Sequence, residues 1–220
     1  MPDHTSVIKH LLRQAPVVPV IAIHNLDSAI PLAMALRDGG LPVLEITLRT
    51  PHGLPAIRRI KDELEGVIVG AGTVTNLRGL DEAIKAGSEF IITPGTTPRL
   101  LSEGCQSPVP FLPGISSASE LMVCAEAGLK VLKFFPAESS GGAKSLKAFG
   151  GPFPDISFCP TGGIGLHNIA DYLAVPSVLS VGGSWLTPDD MVREGNWTAI
   201  TALAREACLR VAAIREGHNK

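Results

Sequence analysis

The chain has 220 residues, 45% of them hydrophobic and 18% charged, with a formal net charge of −2. That length supports one sizeable core and is short for two, so residues 1–220 are expected to form a single domain. The balance excludes a disordered chain and lacks the basic field that nucleic-acid binding needs. No apolar run is long enough to cross a bilayer, and Asp3, His4 and Lys9 ahead of Leu11 interrupt the stretch a signal peptide would need.

Helical and strand-like stretches alternate. Thr5 or Ser6 can cap a first helix running to about residue 14, and the apolar stretch 17–23 reads as a strand. Asp27 or Ser28 starts a helix that stops at Gly39 and Gly40. Val43–Thr47 is the second strand, followed by a helix from about Thr50 and Pro51. Residues 67–71 form the third strand, and Asn76 caps a helix to Gly87. Residues 89–92 and 109–112 are the next two strands, each leading into a helix, at about 97–103 and, capped by Ser116 or Ser117, up to 127. A sixth strand spans 129–136, then a short helix 141–149. A seventh strand at 156–160 precedes a helix at 165–173. Residues 177–181 form the eighth strand, and Thr187 or Asn196 opens a final helix carrying Ile200, Leu203, Ala207 and Val211 at helical spacing.

Eight strands, each followed by a helix, fit an α/β fold, a (β/α)8 TIM barrel with an additional N-terminal helix. A doubly wound sheet stays open, because periodicity carries no information about closure. Cys105, Cys124, Cys159 and Cys208 are scattered, with no Cys-x-x-Cys and no nearby paired histidines. That argues against a metal site or a disulfide framework and for a reducing cytoplasm.

The stretch with most chemical content is the sixth strand. Its alternation places Leu129, Val131, Lys133 and Phe135 on one face and Lys130, Leu132 and Phe134 on the other. Lys130 sits at the strand entry, within reach of water. Lys133 lies deep in an apolar run, where desolvation disfavours the ammonium and a neutral amine can attack a carbonyl. Its ordinary alternative is a structural lysine paired with a carboxylate. Glu45 is the natural partner, since Val43, Glu45 and Thr47 share the face opposite the apolar Leu44, Ile46 and Leu48. A buried salt bridge and an acid/base group beside an imine-forming lysine both follow from that placement.

Polar and glycine-rich exceptions collect at the C-terminal strand ends, where this fold builds its chemistry. Arg49 follows the second strand and offers a planar fork for a carboxylate. Thr73 adds a hydroxyl from the third, while Pro94 and Phe135 supply apolar wall. Gly162, Gly163, Gly183 and Ser184 end the last two strands, where barrels commonly bind phosphate. Taken alone, Arg49 reads as a solvated surface residue and Thr73 as a turn residue. The absence of a P-loop argues against nucleoside triphosphate chemistry.

The segments Gly40-Leu-Pro-Val-Leu-Glu45-Ile-Thr-Leu-Arg49 and Gly128-Leu-Lys-Val-Leu-Lys133-Phe-Phe-Pro-Ala137 resemble the two signatures of the 2-keto-3-deoxy-6-phosphogluconate (KDPG) and 4-hydroxy-2-oxoglutarate (KHG) aldolase family. Cys159-Pro-Thr161-Gly-Gly-Ile164 and Val181-Gly-Gly-Ser184-Trp-Leu186 are similar to its phosphate-end segments, and the resemblance runs from about Pro19 to Ala207. It implies a class I aldolase without metal or other cofactor, a homotrimer acting on a small 2-keto acid and having no nucleic-acid or membrane partner. Lys133 would form the Schiff base and Glu45 would shuttle protons. Arg49 and Thr73 would hold the substrate carboxylate, with Pro94, Phe135 and Thr161 in the pocket and Gly162, Gly163, Gly183 and Ser184 at the phosphate. The implied reaction cleaves KDPG to pyruvate and D-glyceraldehyde 3-phosphate, and KHG to pyruvate and glyoxylate. The residues alone also admit a phosphosugar epimerase or isomerase on a similar barrel, or a noncatalytic phosphosugar sensor.

Overall fold

The computed structural model describes residues 3–218; Met1, Pro2, Asn219 and Lys220, which the single-domain expectation includes, lie outside the described residues. Helix α1 (His4–Gln14) comes first, capped by Asp3, which accepts from the Ser6 amide at 3.0 Å. Thr5, one of the two expected caps, instead accepts from the amide of Lys130 at 3.3 Å, tying the helix to the entry of a strand. The following strands and helices alternate as β1 (Val17–Ile21), α2 (Ala29–Asp38), β2 (Val43–Thr47), α3 (Gly53–Glu63), β3 (Ile68–Gly72), α4 (Leu77–Lys85), β4 (Ile91–Ile92) and α5 (Pro98–Gln106). Asn76 and Thr97 cap α4 and α5 through their side-chain oxygens, as expected of those residue types.

The fifth strand expected at 109–112 is shorter, β5 (Phe111–Leu112), and a further segment, β6 (Gly114–Ile115), follows beyond Pro113, which has no amide proton for the ladder. Then come α6 (Ala118–Glu126), β7 (Val131–Phe134), α7 (Gly142–Phe149), β8 (Ser157–Pro160) and α8 (Ile169–Leu173). Ser117 and Glu120 form a reciprocal capping box on α6. The eighth strand expected at 177–181 pairs later, as β9 (Val181–Gly183), since its register with β1 starts at Val17↔Val181. Of the two starts expected for the C-terminal helix, Asn196 opens α10 (Trp197–His218), accepting from the Ala199 amide at 3.2 Å, whereas Thr187 precedes a separate short helix, α9 (Asp189–Glu194), which Gly195 ends with a φ of 66°.

All the strand pairings are parallel, as helical crossovers require. They form two ladders, β5-β4-β3-β2-β1-β9 and β6-β7-β8, and the bridges Phe158↔Val178 and Thr161↔Gly182 bring the end of β8 against the β9 segment. The sheet therefore curls, with an inner and an outer face. Alternation along each strand separates the faces. Leu44, Ile46, Leu132 and Phe134 join the apolar layer beneath the helices, whereas Val18, Val43, Leu112, Val131 and Cys159 point inward.

The inner cluster also takes Ile8, Leu11 and Leu12 from α1. Full burial of side chains of this size contributes roughly 2 kcal/mol each, so α1 is held by the inner face as firmly as a core helix. Its partners lie at the strands' N-terminal ends and middles, which leaves the C-terminal ends open. No described helix is long and apolar enough to cross a membrane.

Candidate active site

Strand β2 carries Glu45 and β7 carries Lys133, and the two strands belong to different ladders. The curl places them opposite each other. Lys133 Nζ donates to Glu45 Oε1 at 3.0 Å, with side chains only 6% and 2% exposed. Burial of either charge alone would be very costly, and the contact between them offsets that cost. Glu45 has room because β3 is Ile-Val-Gly-Ala-Gly. A Cβ on Gly72 would lie 2.1 Å from Glu45 Oε1, well inside van der Waals contact. The Phe135 ring stands 5.5 Å from Nζ, shielding the amine from water while its π face tolerates the cation. Cys159 lies beside Lys133 in register, and burial pushes its thiol up to about 12, so it acts as packing rather than as a nucleophile.

Above this pair lies a cavity of about 280 Å³. Its wall includes Glu45, Arg49, Thr73, Pro94, Lys133, Phe135, Thr161, Gly162, Gly163 and Ser184, which the sequence had singled out. Gly183 stands off the wall between two residues that line it, Gly182 and Ser184; a Cβ there would strike the Trp185 ring. Thr73 has a φ of 59°, a left-handed conformation that strains a β-branched residue by roughly 1–3 kcal/mol and persists only where the surrounding structure holds it.

Thr161 is seated by a second missing side chain, since a Cβ on Gly182 would come within 2.2 Å of its hydroxyl oxygen. The glycine loop that follows is pinned on both sides. The amides of Ala137 and Glu138 donate to Thr161 and Gly162 carbonyls at 2.8 and 3.1 Å. Asn168 accepts from the Gly165 amide at 2.9 Å and donates to the Gly163 carbonyl at 3.0 Å. Gly162 and Gly163, with φ of 105° and 75°, expose backbone at the cavity edge.

Three further residues, Val20, Thr47 and Ile164, line the cavity without having been anticipated, and Gly182 lines it as well. Thr47 shares the inward face with Glu45 and was identifiable from that alternation. Gly182 belongs to the glycine pair at the end of the eighth strand. Val20 and Ile164 are apolar residues in apolar stretches and carried no signal. Arg49 and Ser184 also border a second, larger cavity of about 730 Å³ between the ends of β1 and α9. The arrangement as a whole can present an amine to a carbonyl, move its proton to a fixed carboxylate, and enclose a small anion with a polar far end.

Comparison with known proteins points the same way. The family model for KDPG and KHG aldolase matches residues 8–203. The chain is 52% identical over 211 residues to the 2-dehydro-3-deoxy-phosphogluconate aldolase of Pseudomonas aeruginosa, covering 96% of each chain. It is 52% identical over 207 residues to the KHG/KDPG aldolase of Escherichia coli K12, covering 94% of this chain and 97% of the relative. Among solved structures, the KDPG aldolase of Legionella pneumophila, with pyruvate captured as a covalent carbinolamine, superposes with a TM-score of 0.89 at 43% identity, covering 90% of this chain and 97% of that one.

The fit of Glu45 against Gly72 generates a prediction. Gly72→Ala should displace the carboxylate and slow borohydride-trapped adduct formation with pyruvate about 100-fold, since displacements of about 1 Å at reacting groups cost that much. Circular dichroism should report an intact fold. An intact variant with undiminished trapping would show that the carboxylate needs no fixed place.

Proposed function

Because the chain belongs to the KDPG and KHG aldolase family, we infer that it is a class I aldolase that cleaves KDPG to pyruvate and D-glyceraldehyde 3-phosphate, and KHG to pyruvate and glyoxylate. The observation that carries this reading is the buried Lys133–Glu45 pair, 3.0 Å apart beneath a small open cavity.

The amine must lose a proton before it can attack, and Glu45 is within hydrogen-bond reach to take it. Lys133 Nζ then adds to the C2 carbonyl to give a carbinolamine, and Glu45 returns its proton to the C2 oxygen, which departs as water and leaves a protonated imine beside the carboxylate. The imine draws the electron pair of the C3–C4 bond as that bond breaks. Glu45, through a water molecule, takes the proton of the C4 hydroxyl, so that C4 departs as an aldehyde. The enamine left behind is protonated at C3, and hydrolysis of the imine frees pyruvate and regenerates the amine. Low exposure serves this chemistry, because fixed groups in a water-poor site stabilise developing charge without reorganising.

In this reading Arg49 and Thr73 hold the carboxylate, and the held conformation of Thr73 supports its part. Pro94, Phe135 and Thr161 enclose the pyruvyl end. Gly162, Gly163, Gly183 and Ser184 receive the phosphate of KDPG, and the pinned glycine loop supports that end of the assignment. The reading takes residues 1–220 as one domain, an eight-stranded (β/α)8 barrel with α1 as the additional N-terminal helix. Pairing of β9 with β1, the β8-to-β9 bridges, and β5 with β6 as one strand interrupted at Pro113 support closure. A cytoplasmic setting fits four free cysteines, and the homotrimer comes from the family resemblance.

Lys133→Ala should abolish both the pyruvate–borohydride adduct, read by mass spectrometry, and KDPG cleavage; turnover at the original rate would remove Lys133 as nucleophile. Ser184→Ala should raise KM for KDPG severalfold while leaving the unphosphorylated KHG nearly unaffected, and equal losses on both substrates would misplace the phosphate. Sedimentation equilibrium should return three chain masses; a single-chain mass at micromolar concentration would overturn the trimer.

A further inference from the structure

Thr47 lies within the first signature segment yet has no part in the chemistry described above. It is fully buried at the end of β2, two residues from Glu45 on the inward face, and its side chain lines the cavity. Its hydroxyl oxygen makes two hydrogen bonds. One reaches the carbonyl oxygen of Ile21, at the end of β1, at 2.8 Å. The other comes from Arg49 Nε at 3.2 Å.

The direction of both bonds follows from proton count. A carbonyl can only accept, so the single hydroxyl proton of Thr47 goes to Ile21. What faces Arg49 is lone pairs alone, suited to a guanidinium that can only donate. Backbone of β1 therefore fixes the rotation of the hydroxyl, and the hydroxyl fixes the edge of Arg49 that it meets. With Nε engaged, the two terminal Nη groups stay available as a fork. The fork makes no other hydrogen bond or ion pair among the described residues.

Arg49 needs such a tether. Its side chain is exposed and borders both the 280 Å³ cavity above Lys133 and the adjoining 730 Å³ cavity. A free arginine has many rotamers, and without a tether its charge can swing between the two cavities that it borders. We propose that Thr47 is a positioning residue for the aldol reaction: its hydroxyl, oriented by the Ile21 carbonyl, turns the Nη edge of Arg49 toward Lys133 so that the substrate carboxylate is gripped end-on and C2 is set over Nζ. The proposal rests on the reading of Arg49 as the carboxylate anchor.

Thr47→Val keeps the shape and removes both hydrogen bonds, whereas Thr47→Ser keeps the hydroxyl and loses only the methyl. With the full-length protein, borohydride trapping across a pyruvate titration gives the half-saturating concentration, and a coupled assay on KHG gives KM and kcat. Thr47→Val is expected to raise the half-saturating pyruvate concentration and KM about tenfold with a smaller change in kcat, and Thr47→Ser should restore most of the loss. In an Arg49→Ala background, Thr47→Val should add nothing further, the signature of action through the arginine. If Thr47→Val folds and behaves as the parent while Arg49→Ala is impaired, the positioning role is overturned and the anchor stands. Equal losses from Thr47→Val with and without Arg49 overturn it too, since the effect would then be structural. If Arg49→Ala leaves pyruvate saturation unchanged, the carboxylate reading itself has failed, and Thr47 with it.

Discussion

A lysine and a glutamate held 3.0 Å apart and almost wholly out of water are the constraint on which this molecule depends. Neither would be tolerable alone at that depth, because an isolated buried charge costs several kcal/mol even after the surroundings relax. Together they are stable, and they are also reactive, since one proton shift between them yields a neutral amine. Structural pairing and catalytic pairing are thus the same contact viewed before and after a carbonyl arrives. The small open cavity above it tips the interpretation toward chemistry, because a purely structural ion pair needs no vestibule.

Much of the site's precision comes from side chains that are missing. Gly72 leaves the volume that the Glu45 carboxylate fills, and Gly182 leaves the volume for the Thr161 hydroxyl. Both glycines sit in strands, where they weaken the ladder and lack packing of their own. The sheet accepts this because neighbouring inward side chains occupy the space, which couples the identity of each functional group to the backbone beside it. The inward face is accordingly graded along its length. Apolar side chains from α1 and the strands fill one end, and polar groups occupy the C-terminal end.

The alternation of Val43, Glu45 and Thr47, and of Val131, Lys133 and Phe135, was legible before any coordinates, because a strand's two-residue period needs no long-range information. So were the caps of α4 and α6, where Asn76 and Ser117 satisfy amides within three residues. Local rules failed where a distant partner decided the outcome. Thr5 looked like a cap and became an acceptor for Lys130, leaving the capping to Asp3. The strand ending at Gly183 was placed too early because its extent is set by β1, more than 160 residues away in sequence.

By itself, then, the sequence determined the alternation of strands and helices, the face on which each reactive side chain lies, and the signature segments that identify the family. Those are properties of neighbouring residues. Only the tertiary structure decided that Lys133 and Glu45 meet, that Arg49 is tied to Thr47 while facing two cavities, and that Gly72 stands where the carboxylate must go. These are contacts between separate strands or across a turn, and their distances depend on how far the sheet curls, which a one-dimensional period of two or 3.6 residues cannot encode.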